Sequence, residues 1–175
     1  MIQQLSNYKT IVPESNNTWQ YYVIFLETQI EENCNLLANV LVESDVVIGN
    51  NFTVKSGVQL CNEIIIEDNM FIGPNATFTN NSFPRSKNPD WKFSKTVIKK
   101  SAASGANATI RCGITIGENA MIGTGIVVTK EIPADELWVG NPARFVRCID
   151  GWGDCEVFSY FIKQMCSSYE LRSVA

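Results

Sequence analysis

VESDVVIGNNFTVKSGVQL, residues 42–60, carries the reading of this chain. An aliphatic residue stands at Val42, Ile48, Val54 and Leu60, one in every six. The period extends in both directions. Upstream it takes in Leu36 and Ile30, and downstream it takes in Ile66, Ile72 and Phe78. After a gap it resumes at Ile98, skips Ser104, and continues through Ile110, Ile116, Ile122 and Val128. Fourteen of fifteen such positions are aliphatic or aromatic, too many for a sandwich of short strands with chance spacing. The next residue is often small or acidic, as at Gly49, Gly73, Gly117, Gly123, Glu31, Glu43 and Glu67. Two places beyond that stands a turn former: Asn33, Asn51, Asn69, Asn75, Asn107 or Asn119. A fixed six-residue period held this long is the mark of a parallel β-helix solenoid. Each six supplies one short strand and one corner, and Gly and Asn tolerate the backbone that corners need. The expected fold is all-β, a stack of coils with an inward aliphatic ladder.

Length and composition agree with one folded body. The chain has 175 residues, 45% of them hydrophobic. A net charge of −4 argues against nucleic acid or an anionic membrane as the main partner. No apolar run approaches the ~18 residues of a membrane span, and MIQQLSNYKT lacks the features of a signal peptide. A cytoplasmic location is expected. The six cysteines, Cys34, Cys61, Cys112, Cys148, Cys155 and Cys166, read as small apolar fillers in a reducing compartment. The chain has no histidine. That excludes a histidine zinc site, a histidine general base and a Ser-His-Asp triad, and with them a carbonic-anhydrase-like β-helix. No metal is expected.

Three segments depart from the repeat. Trp19, Tyr21 and Tyr22 precede it, and either cap the open first coil or offer a flat surface to a planar ligand ring. The gap from Phe78 to Ile98 spans twenty residues, two more than three whole sixes. It contains Pro84 and Pro89, so it is no central strand, and a long loop on a rigid scaffold is a candidate site. From Arg85 to Lys100 six basic residues (Arg85, Lys87, Lys92, Lys95, Lys99, Lys100) face one acid, Asp90. That excess suits an anionic ligand such as phosphate, where a solvated surface loop is the plain alternative. After the repeat, Val157, Phe158, Phe161, Ile162, Met165 and Tyr169 share one face at helical spacing, with Asp154 as a candidate cap. Residues 1–150 are thus expected to form the β-helix, with a loop over 79–96, and residues 151–175 a short C-terminal α-helical tail.

The repeat, the loop Phe78-Thr79-Asn80-Asn81-Ser82-Phe83-Pro84-Arg85-Ser86 and the exit Val139-Gly140-Asn141-Pro142-Ala143-Arg144 together resemble the left-handed β-helix acyltransferases. Among them the chain is most similar to the dTDP-3-amino-3,6-dideoxyhexose 3-N-acetyltransferases of bacterial surface-glycan pathways. The resemblance covers roughly residues 15–150. It implies a homotrimer with sites between neighbouring β-helices, using acetyl-CoA and a nucleotide-linked amino sugar. By carry-over, Asn80 and Asn81 are the candidate catalytic residues, orienting substrate or stabilising charge. Glu63, Gln59 and Arg85 are candidates for substrate contact. Ala103, Gly105, Met121 and Gly123 would offer backbone groups to the pantetheine arm, and Lys130 and Arg144 would meet CoA phosphates.

Two positions depart from that family's pattern. Asn81 stands where relatives carry Asp, and Gln59-Leu60-Cys61-Asn62-Glu63 stands where they commonly read Gln-Leu-Trp-Asp-Gly. A degenerate scaffold or binding subunit, or an enzyme for a different nucleotide amino sugar, are the competing readings. The missing histidine suits amine acetylation. A neutral amine is already a nucleophile, whereas a hydroxyl needs its proton removed.

Overall fold

The computed structural model describes residues 12–90 and 92–149, and the expected C-terminal helix lies outside them. The described chain contains strands and turns only. Strands of two or three residues alternate with corners and wind into a parallel β-solenoid with three faces. The faces hold eight, six and five strands. Asn17 pairs with Asn35, Asn35 with Thr53 and Thr53 with Phe71, so one coil takes 18 residues. Phe71 then pairs with Ala103 rather than residue 89, so one coil carries 14 extra residues and keeps its register.

The expected ladder is the core. The first face stacks Leu36, Val54, Ile72, Ser104 and Ile122, and the second Val42, Leu60, Phe78, Ile110 and Val128. The third stacks Ile30, Ile48, Ile66, Ile98 and Ile116. Ser104, the one skip in the period, is buried among these, where its hydroxyl accepts a 3.4 Å bond from the Gly73 N–H. A second inward row, four residues after the first, was not read from sequence. It includes Cys34, Val40, Val46, Phe52, Val58, Ile64 and Met70 low in the stack, and Ala102, Ala108 and Ala120 higher up. Its variable volume hides it from a periodicity count. Cys34 and Cys112 are buried as expected of fillers, but Cys148 is exposed and Cys61 only half-buried.

All six asparagines expected at corners have positive φ, between 55° and 60°. Non-glycine residues pay for that region, and Asn pays least because its side chain bonds locally. Stacked corners also bond to one another: Asn51 Nδ2 donates to Asn69 Oδ1 at 3.0 Å, and Asn119 Nδ2 to Asp135 Oδ1 at 2.9 Å.

The ends differ from the middle. Trp19 and Tyr21 are 62% and 78% exposed, so they do not seal the first coil by packing over it within this chain. At the other end Glu136–Val139 joins the first face, and Arg144–Cys148 returns antiparallel beside it. That turn ends the parallel stack, with Trp138 and Ile132 closing the core beneath.

Candidate active site

The loop leaves the solenoid where the second face turns to the third. Repeat arithmetic stacks residues 18 apart here: Glu43 below Cys61, and Ser44 below Asn62 below Asn80. The loop is tied at both roots. Ser94 N–H donates to the Asn80 carbonyl at 3.1 Å, and Thr96 N–H to the Glu63 carbonyl at 2.9 Å. Cys112 N–H donates to Thr79 Oγ1 at 2.9 Å, and Gly113 N–H to Thr96 Oγ1 at 3.2 Å. Thr96 is buried and opens the strand Thr96–Ile98, so the loop ends one residue earlier than expected, at Lys95.

Glu43 sits at this root. Its Oε2 accepts the Asn62 N–H at 3.0 Å and the Asn80 Nδ2 at a longer 3.4 Å. Asn62 Nδ2 in turn donates to the Ser44 carbonyl at 3.0 Å. Cys61 lies beside this group with its thiol pushed up to about 11, first by burial and then by the Glu43 charge. It is a protonated thiol at neutral pH and no nucleophile. The sequence reading missed Glu43. Counting back one coil from Cys61 identifies it, but only once the 18-residue turn is known.

The other expected substrate residues are less concentrated. Asn81 Oδ1 accepts the Phe83 N–H at 2.7 Å, which commits its carbonyl oxygen to shaping the loop. Glu63 occupies a corner with φ 61°, and Gln59 points outward on the second face. Arg85 is exposed and donates to the neighbouring Pro84 carbonyl at 2.9 Å. The cationic run divides. Lys99 is paired with Glu67 at 2.7 Å, and the Lys100 N–H donates to the same carboxylate at 3.0 Å. Both sit past the loop, at the corner after the third face, so only Arg85, Lys87, Lys92 and Lys95 ride on the loop, all exposed.

The expected coenzyme residues lie along the first face and the far end. Ala103 and Met121 are register partners on adjacent strands. The N–H groups of Ala103, Gly105 and Gly123 already donate to Ala120, Ile122 and Trp138 carbonyls. Those three amides therefore serve the solenoid, and what they leave to a ligand is a surface with little side chain. Gly105 is small for a structural reason, because a Cβ there would lie 2.6 Å from the Thr124 nitrogen of the next coil. Lys130 Nζ stands 4.8 Å over the Trp138 ring, and Arg144 donates to the Ala143 carbonyl at 2.9 Å. Among the described residues no cluster of three or more His, Cys, Asp or Glu is arranged to hold a metal ion, and no helix is long and apolar enough to cross a membrane.

The chain matches the hexapeptide repeat of succinyl-transferase over residues 39–74 and 105–130. It is 32% identical over 113 residues to the galactoside O-acetyltransferase of Escherichia coli, covering 61% of this chain and 56% of that protein. Over 52 residues it is 54% identical to the dTDP-3-amino-3,6-dideoxy-alpha-D-galactopyranose 3-N-acetyltransferase of Aneurinibacillus thermoaerophilus, covering 30% of this chain and 27% of that one. The chain thus spans about half or less of the length of these relatives. Among solved structures, a mutant of AntD, an N-acyltransferase from Bacillus cereus in complex with dTDP and coenzyme A, superposes with a TM-score of 0.65 at 16% identity, covering 89% of this chain and 87% of that one. PerB from Caulobacter crescentus, in complex with CoA and GDP-perosamine, superposes with a TM-score of 0.63 at 20% identity, covering 75% and 57%. Both structures share the fold. With its six-residue period and three-faced coils, the chain carries the hexapeptide repeat over these residues and shares the fold of both structures.

Proposed function

We propose that the protein transfers acetyl from acetyl-CoA to the amino group of a nucleotide-linked sugar, in the first instance a dTDP-3-amino-3,6-dideoxyhexose. The observation that carries this reading is the root of the loop, where Glu43, Asn62 and Asn80 form a polar group in a chain without histidine. Such a group suits binding and orienting an amine, and the chain has no histidine to deprotonate a hydroxyl. The 54% identity to an amino-sugar N-acetyltransferase supports the substrate class.

The step balances without a side-chain base. The neutral amine nitrogen forms a bond to the thioester carbonyl carbon. The tetrahedral centre collapses with loss of the C–S bond. The proton released from nitrogen goes to the departing sulfur, giving amide and CoA thiol. What the protein supplies is positioning and a preorganised polar surround. In this reading the loop and Gln59, Glu63 and Arg85 meet the sugar nucleotide. Ala103, Gly105, Met121 and Gly123 flank the pantetheine arm, and Lys130 and Arg144 meet its phosphates. The working assembly is a homotrimer with sites between subunits, in the cytoplasm.

Free-thiol release from acetyl-CoA, followed with matched 3-amino and 3-hydroxy dTDP-sugars, tests the reading. Release is expected only with the amine. A hydroxyl sugar accepted as well as the amine would refute it. A second reading, a binding scaffold without catalysis, draws on Asn81 being engaged in its own turn. Calorimetry with CoA separates the two, because a scaffold has no need to bind it.

A further inference from the structure

Within the polar group at the loop root, Glu43 has so far been given no separate role. We propose that it is a positioning residue: its carboxylate holds the Asn80 amide so that Asn80 Oδ1 is the atom offered to the attacking amine. The inference rests on the N-acetyl transfer reading and deepens it.

The chemistry of the pair fixes the orientation. An ionised carboxylate only accepts hydrogen bonds, so of the two ends of an amide only the NH2 faces it. Asn80 Nδ2 does face Glu43 Oε2, at 3.4 Å. Asn80 Oδ1 is then left over as an acceptor. During attack the nitrogen gains positive charge and its N–H bonds become stronger donors, so an acceptor beside it is stabilising and a donor is not. Asn80 in this orientation serves the amine, not the oxyanion, which is the substrate-orienting one of the two roles expected of it from sequence. The oxyanion falls to other donors.

Glu43 is well placed to set that orientation, because it does not belong to the loop. Its own N–H is in the coil ladder, donating to the Leu60 carbonyl at 2.8 Å, and its Oε2 also takes the Asn62 N–H. Asn80 is pinned from the other side by Ser94 N–H on its carbonyl. A loop residue is thus indexed against a rigid strand-to-corner position 37 residues earlier, the arrangement that keeps a site residue within productive geometry.

The test is a double-mutant cycle on the full-length chain, assayed with acetyl-CoA and the amino sugar nucleotide. Glu43→Met removes the acceptor and keeps the bulk. It is expected to lower kcat by about tenfold or more, while KM for acetyl-CoA stays within about twofold, since only the amine side is disturbed. In an Asn80→Ala background the same change is expected to do nothing further, because the two act as one unit. Additive losses, or a loss confined to KM for acetyl-CoA, would overturn the proposal. Asn80→Asp is the second variant, and it lies on the loop where folding is not at stake if Glu43→Met melts early. It sets two carboxylates against each other and is expected to fall below Asn80→Ala. Activity equal to or above Asn80→Ala would show that the amide NH2 is not needed. Absence of transfer by the wild-type chain defeats the underlying reading. Transfer with an additive cycle defeats only this inference.

Discussion

The Lys99 ammonium lies 2.7 Å from the Glu67 carboxylate, across the coil boundary that the loop insertion lengthens. Lys99 and Glu67 occupy the same corner position in successive coils, so the pair clamps the coil above the loop to the one below. The bond to Lys99, foremost, holds the Glu67 carboxyl below its usual range.

That pairing makes stability depend on pH in a defined direction. A carboxyl with a lowered folded pKa contributes stability that is complete above the unfolded value, about 4.3, and is lost as pH falls through the folded one. Both side chains are more than a third exposed, so the pair is worth no more than about 1 kcal/mol. Lys99→Met is expected to lower the urea midpoint slightly at pH 7 and to lower it less as the pH falls toward 3. An equal difference at both pH values would contradict the ion-pair role.

Gly105 tests the stacking of corners. An added Cβ meets the Thr124 nitrogen at 2.6 Å and the Gly123 carbonyl carbon at 2.8 Å, both backbone. Neither atom yields as a flexible side chain does. Gly105→Ala is expected to cost about 1–3 kcal/mol by thermal unfolding. A melting temperature equal to wild type would show that the upper coils are looser than described.

Phe78 is the last inward residue before the loop and is 1% exposed. Phe78→Ala opens a cavity between Leu60 and Ile110 and is expected to destabilise by about 3–5 kcal/mol. Because Thr79 and Asn80 follow directly, activity should fall even where the variant remains folded, as read by circular dichroism and thiol release in parallel.

Cys61 gives a chemical readout of the loop root. With its thiol pushed up to about 11 by burial and by Glu43, its alkylation in the folded protein should stay slow at pH 8 and rise only in strong alkali. Peptide mapping after timed labelling measures it. Labelling of Cys61 near pH 8 as fast as that of a free thiol would contradict the described packing.

The solenoid was legible because one column of large aliphatic residues keeps strict phase, from Ile30 to Val128. The second inward column was not, since Phe52, Cys34 and Ala102 share a position but no size. The loop was legible by its prolines and charge, although its excess over a coil is 14 residues and two of its expected cations sit on the solenoid beyond it. Asn80 was singled out through the family resemblance. Glu43 was not, because its partners are 19 and 37 residues away and only the coil geometry makes them neighbours. Of the two readings of Trp19 and Tyr21, packing over the first coil is not supplied by this chain alone, and their exposure leaves the flat-surface one.

The most direct measurement is mass spectrometry of the sugar nucleotide after incubation of the protein with acetyl-CoA and a panel of dTDP-3-amino-3,6-dideoxyhexoses. The account predicts one added acetyl group on the amino nitrogen of at least one epimer, with an equal amount of CoA thiol released. An unmodified panel, with the protein folded and acetyl-CoA intact, would contradict it.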